Sequence, residues 1–142
     1  KRVYINNEKI KNSIHYEIEL LKKLKNQYIV QYYFHEDDKN FINIALEICQ
    51  SDLEKYLENR NNYSGLILDN IEILNQITLG FDHLHDNKIE IIVHRDIKPQ
   101  NVLISYPDKN NRIVVKLSDF GISKLLNNQN TKFPVTHIVG TN

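Results

Sequence analysis

The 142-residue chain has 18 basic and 18 acidic side chains, hence no formal net charge, with 41% apolar and 25% charged residues. That length supports one domain with a real core, and the neutral balance removes the basic face through which nucleic-acid binders work. Its single cysteine, Cys49, excludes an internal disulfide and suits a reducing, cytoplasmic setting. No apolar run reaches the ~18–20 residues of a membrane span. With no methionine, no signal-peptide pattern and Lys1-Arg2 at its start, the sequence reads as a piece of something longer.

Residues 2–5 read as the end of a strand and Asn6-Asn7 as a turn. From Asn7 to Lys25, Ile10, Ile14, Ile18, Leu21 and Leu24 recur at helical spacing and predict an amphipathic helix. Residues 29–34 and 41–49 are β-rich runs joined by the polar 36–40, which predicts an antiparallel hairpin. Ser51 or Asp52 can N-cap a short helix through Leu57, with Glu54 in its first turn. An Asn-rich loop covers 58–65. A longer helix over 69–85 is expected to bury Ile71, Leu74, Ile77, Phe81 and Leu84, and Gly80 marks a close approach. Residues 102–105 and 113–117 form a second predicted hairpin around a turn at 106–111. Residues 118–142 lack periodicity and read as a long loop, a length that is usually functional or disordered. Early strands with one helix, then mostly helical material, predict an α+β domain in two lobes, crossing near 47–53.

Between the long helix and the second hairpin lies Ile91-Ile92-Val93-His94-Arg95-Asp96-Ile97-Lys98-Pro99-Gln100-Asn101-Val102-Leu103-Ile104. Apolar runs at both ends read as buried, strand-like segments, so the polar groups between them sit at the edge of a core. Pro99 fixes its own φ and biases Lys98 away from the helical region, which makes this a shaped loop. An imidazole, a guanidinium, a carboxylate, an amine and a carboxamide on one rigid loop point to catalysis. Asp119-Phe120-Gly121 follows 18 residues after Asn101. Such a tripeptide is weak alone and specific in this company.

H-R-D-x-K-x-x-N over 94–101 closely resembles the catalytic loop of protein kinases, and D-F-G over 119–121 resembles their metal-binding motif. The resemblance implies a two-lobed protein kinase fold. Residues 1–48 are then the rest of the first lobe, and 49–142 the hinge, the start of the helical lobe, the catalytic loop and the activation segment. It implies ATP and Mg2+, with Asp119 and Asn101 as oxygen ligands of the metal. Asp96 would orient a substrate hydroxyl and accept its proton. Lys98 would set positive charge near the transferred phosphate, and a lysine there marks serine/threonine specificity. Arg95 marks kinases whose activation segment is ordered by an Arg–phosphate pair. Glu17, four residues before Leu21, matches the helical glutamate that pairs with a phosphate-binding strand lysine; Lys1, 16 residues upstream, is the candidate partner. Leu46 resembles the gatekeeper, backbone groups of Glu47 and Cys49 would bond the adenine edge, and Leu103 would lie beneath the base. His94 and Phe120 fall to an inter-lobe apolar column. Cys49 is a hinge residue and no nucleophile, since nothing cationic in its sequence surroundings lowers its thiol pKa. His83 and His85 make a poor metal pair, and His15, His35 and His137 are expected at the surface.

Among kinases the sequence is similar to the unfolded-protein-response sensor kinase–endoribonucleases (the inositol-requiring enzyme family). Residues 44–49, 97–105, Pro107, Ile113, 118–124 and Gly140-Thr141 carry that likeness. Departures are about two extra residues near 88–90 and an activation segment, 125–139, offering Thr131 and Thr136 in place of a serine cluster. The match starts at the strand lysine and stops inside the activation segment, without a Gly-rich loop or A-P-E motif. Residues 1–142 alone are therefore expected to be inactive. The implied partners are ATP and a protein substrate, or a second copy in trans within a homodimer, at the cytosolic face of the endoplasmic reticulum. No membrane segment or nucleic-acid contact is expected from these residues. A different reading makes the domain a nucleotide-sensing regulatory module or pseudokinase that controls dimerisation or an attached ribonuclease. Intact Asp96, Lys98, Asn101 and Asp119 speak for phosphotransfer.

Overall fold

The computed structural model describes residues 1–63, 67–85, 90–121 and 124–127. Strand β1 (Arg2–Tyr4) is followed by helix α1 (Glu8–Lys23) and strands β2 (Tyr32–Asp37) and β3 (Phe41–Leu46). These strands form an antiparallel sheet in the order β1-β3-β2. Asn7 caps α1 by accepting from the Ile10 amide at 2.9 Å, Glu8 occupies its first turn, and Lys22 and Lys23 its last. The predicted stripe holds: Ile18, Leu21 and Leu24 are buried, and Ile10 and Ile14 half-buried. Ile18 packs with Ile42 and Ile44 of β3, which docks the helix on the sheet.

The second region starts at β4 (Cys49–Asp52) and helix α2 (Leu53–Glu58), capped by the Asp52 carboxylate on the Lys55 amide. Helix α3 (Asn70–His85), β5 (Glu90–Val93), β6 (Val102–Ser105), β7 (Val115–Leu117) and β8 (Lys124–Asn127) follow. Strands β4, β6 and β7 form a second antiparallel sheet in the order β4-β6-β7, and β5 pairs with β8. The main core lies here, around Tyr56, Ile104, Leu117 and Phe120. Tyr32 and Leu46 touch both this core and the smaller one under the first sheet.

The chain differs from its sequence reading at four places. Residues 29–30 do not begin the hairpin strand; Ile29 bridges Leu117 and the Val30 amide bonds the Leu117 carbonyl at 2.9 Å, so two apolar residues serve the second region's core. The run 41–49 breaks at Leu46, because Cys49 to Asp52 pair with β6 instead. In α3 the buried line is Ile73, Gln76, Gly80 and Leu84, while Ile71 and Leu74 are 79% and 63% exposed. Gln76 turns the helix: its side-chain oxygen takes the Val115 amide at 2.8 Å, so a polar residue occupies the face a hydrophobic count assigns elsewhere. Finally, 118–142 is not loop throughout, since Lys124–Asn127 pairs with β5. Thr131, Thr136, His137 and Gly140-Thr141 lie outside the described residues.

Candidate active site

Lys1 continues β1, exchanging backbone hydrogen bonds with Ile44. Its Nζ donates to both carboxylate oxygens of Glu17, at 2.7 and 2.9 Å, and to Asp119 Oδ1 at 3.0 Å. Glu17 is 1% exposed although it sits on an otherwise apolar face of α1. A carboxylate taken that far from water needs a partner, and Lys1 supplies it. Burial alone would depress the Lys1 ammonium, but hydrogen bonds and charge from Glu17 and then Asp119 outweigh it and hold the group above its ordinary value. The expected Lys1–Glu17 pair is thus present, and the same cation reaches Asp119.

The catalytic-loop side chains converge on Asp96. Lys98 Nζ lies 2.9 Å from Asp96 Oδ2, and Asn101 Nδ2 donates to Asp96 Oδ2 and to the Asp96 carbonyl, both at 2.9 Å. Both side-chain contacts fall on Oδ2, which leaves the Oδ1 lone pairs uncommitted. The Lys98 hydrogen bond, helped by Asn101, holds the Asp96 carboxyl below its usual range, so it is ionised at neutral pH. Because both partners of Asn101 Nδ2 are pure acceptors, the amide orientation is fixed and its Oδ1 stays uncommitted.

His94 is 2% exposed and packs against Phe120, with ring centroids 4.8 Å apart and planes tilted by 57°. Its Nε2 bonds the Ser118 carbonyl at 2.8 Å, and its Nδ1 faces the Asp96 amide at 3.4 Å. An acceptor at one nitrogen and a donor at the other define a neutral ring carrying its proton on Nε2. Burial pushes its pKa down against the pull of Ser118, Asp119 and Asp96. Ser118 closes the loop: its amide and hydroxyl both donate to the Asn101 carbonyl at 2.9 Å. Asp119 follows with φ 60°, and Arg95 has φ 69°, both in the left-handed region uncommon outside glycine. Such strained backbone, at Asp119 and next to Asp96, is tolerated where the surroundings over-determine it.

Between the two sheets, the Glu47 amide donates to the Gln31 carbonyl at 2.8 Å. Leu46 and Leu103 are half-buried against the core, and Leu103 stands opposite Asp52 and Lys116 in the second sheet. Burial, then Glu47, pushes the Cys49 thiol up to about 11. The expectation of a thiol that is not lowered holds, although Lys116 acts on it in the lowering sense as the smallest influence. Lys116 itself was not foreseen. It is 8% exposed in β7, pairs with Glu47 at 3.1 Å and donates to the Gln27 carbonyl at 2.7 Å. The signal was present: a lysine inside Ile113–Leu117 requires a buried partner.

The donor set suits a hard divalent cation. Asp119 offers carboxylate oxygen and Asn101 a free amide oxygen, with no sulfur or imidazole between them. Neither joins a three-ligand His, Cys, Asp or Glu cluster; among the described residues that geometry occurs only at His15, His35 and Asp37.

The chain belongs to the protein kinase family, whose domain model matches residues 1–142. That family generally uses ATP and Mg2+. The chain is 36% identical over 121 residues to the serine/threonine-protein kinase/endoribonuclease ireA of Aspergillus fumigatus, covering 80% of this chain and 10% of that protein. It is 37% identical over 117 residues to the sensor for unfolded proteins in the ER ire1 of Schizosaccharomyces pombe, covering 78% and 11%. It is also 41% identical over 118 residues to the human serine/threonine-protein kinase Nek5, covering 79% and 15%. The chain therefore spans about a tenth to a seventh of the length of these curated relatives. No helix among the described residues is long and apolar enough to cross a membrane.

Proposed function

We propose that residues 1–142 form the nucleotide, metal and catalytic-loop portion of an ATP-dependent serine/threonine protein kinase. The observation that carries this reading is Lys1 Nζ, within 3.0 Å of both Glu17 and Asp119. Phosphoryl transfer asks the protein for positioning and charge neutralisation, and it requires the lysine–glutamate pair and the metal-binding aspartate together.

In this reading Lys1 binds the α/β-phosphates and Glu17 holds it there. Leu46, Leu103 and backbone groups of Glu47 and Cys49 take the adenine. Asn101 and Asp119 hold Mg2+, which when bound neutralises charge on the phosphates. Asp96 Oδ1 receives the proton of a serine or threonine hydroxyl, Lys98 screens the transferred phosphoryl group, and Asn101 locks Asp96 in place. The names of the ireA and ire1 relatives support a role in a sensor of unfolded proteins with an attached ribonuclease, and the reading extends to a kinase that phosphorylates itself in trans. A regulatory reading draws support from the same cation, since Lys1 joins helix α1 to Asp119 and nucleotide occupancy would thereby set lobe closure.

The test uses the full protein with ATP and Mg2+. Asp96→Asn should lower phosphotransfer by about 10²–10⁴-fold while leaving ATP binding intact. Unchanged phosphotransfer would remove Asp96 from the mechanism. A wild-type protein that binds ATP without transferring phosphate would establish the regulatory reading.

A further inference from the structure

Away from the Lys1–Asp119 site, helix α1 and strand β2 bring together two imidazoles and a carboxylate. His15 projects from α1; His35 and Asp37, two apart on β2, share one face of that strand. His15 Nε2 lies 3.2 Å from Asp37 Oδ2, and the His15 and His35 rings meet edge-on at 76° with centroids 6.0 Å apart. One ligand atom from each residue lies within 4.8 Å of the other two. His35 Nδ1 is 2.7 Å from the Tyr32 hydroxyl, so Nε2 is its free nitrogen.

We propose that His15, His35 and Asp37 form a binding site for zinc or a similar borderline divalent cation, stapling helix α1 to strand β2. Two neutral imidazoles and one carboxylate, with a fourth position left to water, make a donor set characteristic of zinc and ill-suited to Mg2+ or Ca2+. Tyr32 supplies the outer partner such a histidine needs: with metal on Nε2, Nδ1–H donates to the hydroxyl and fixes ring and tautomer. His15 and Asp37 side chains are 36% and 42% exposed, so an ion has an entry path. Glu19, one turn beyond His15, is paired with Lys22 at 2.7 Å. The consequence reaches the catalytic site through α1. Glu17 lies two residues from His15, so fixing the helix against β2 fixes the carboxylate that holds Lys1.

Titration of the full protein with Zn2+ in excess Mg2+, read by competition with a chromophoric chelator, should give one zinc per chain. His15→Gln and His35→Gln should each weaken it more than 10-fold, and Tyr32→Phe on the order of 10-fold. Asp119→Asn should leave it unchanged. Co2+ bound to the wild type should show the intense visible bands of a four-coordinate ion, a readout independent of any variant. Zn2+ should raise the melting midpoint of the wild type and not of His35→Gln. No one-to-one binding, six-coordinate Co2+ spectra, or full affinity in the His15→Gln/His35→Gln double variant would overturn the site. Loss of zinc in Asp119→Asn would place the ion at the catalytic centre and equally overturn it.

Discussion

The two regions hold their functional groups by opposite means. In the second, Asp96, Asn101, His94 and Ser118 are tied together by hydrogen bonds within 25 residues of sequence, all of them anchored in one core. In the first, Glu17 and Lys1 meet across a helix and a strand, and the charged link from Lys1 to the rest of the site is an ion pair to Asp119, whose side chain is 48% exposed. A network of short hydrogen bonds on rigid anchors is prebuilt. One cation spanning α1, β1 and Asp119 is conditional, because it rests on a half-exposed ion pair, while α1 itself packs into the main core through Leu20, Leu21 and Leu24. The 94–101 loop is therefore held in one arrangement, and the Lys1–Glu17 pair is the part whose link to it can be lost.

After the loss expected of Asp96→Asn, the next largest effect attacks the conditional half. Glu17→Gln keeps the shape of the side chain but removes the charge that holds Lys1, and misplacement of a positioning group by about 1 Å costs on the order of 100-fold in kcat/KM. The His94–Phe120 packing should be untouched, which the His94 ring resonances would report. Full activity in Glu17→Gln would mean that the first region is as prebuilt as the second.

Acid should act on the prebuilt half. His94 is neutral in the fold, with its pKa below the ordinary 6.5 because of burial. Between those two values the unfolded chain binds the proton and the folded chain does not, so stability is present above about pH 6.5 and is lost as pH falls below it. One proton limits the slope to about 1.4 kcal/mol per pH unit. Protonation also deprives the Asp96 amide of its acceptor at Nδ1. Urea midpoints between pH 7 and 5 should fall for the wild type and fall less for His94→Phe. Equal slopes would remove His94 from the linkage. Ser118→Ala, which deletes one buried hydrogen bond to the Asn101 carbonyl, should cost about 1 kcal/mol by the same measurement.

This contrast also explains what was legible in the sequence. Local order writes itself into adjacent residues, so the 94–101 loop, the cap at 51–52 and the α1 stripe could all be read directly. Lys1 and Glu17 were readable only through their likeness to a known pair, since nothing in their spacing states that a strand end meets a helix face. Ser118 and Lys116 escaped because their partners, Asn101 and Glu47, are 17 and 69 residues away. Helix α3 misled for a related reason. Ile71 and Leu74 satisfy a helical period, but Gln76 bonded to Val115 fixes which face turns inward, and a hydrophobic count cannot see a buried amide. Strand β8 was hidden because Lys124–Asn127 acquires its order from β5, about 34 residues earlier.

Gly80 tests how tightly the prebuilt half is packed. In a helix interior alanine is favoured over glycine by about 1 kcal/mol, so propensity alone predicts that Gly80→Ala stabilises. Its Cβ, however, would stand 3.0 Å from Leu117 Cδ1, 3.2 Å from Leu117 Cγ and 3.4 Å from the Tyr28 carbonyl. Leu117 is 1% exposed, and its backbone bonds both Val30 and Tyr28, so it has little room to retreat. Overpacking of that kind costs about 1–3 kcal/mol, which exceeds the propensity gain. A net loss of about 1 kcal/mol is expected in the urea midpoint. Because Leu117 directly precedes Ser118 and Asp119, a small rise in KM for ATP should accompany it. A stabilised variant with unchanged KM would mean that Leu117 rotates away freely and that the loop's anchor is softer than its hydrogen bonds imply.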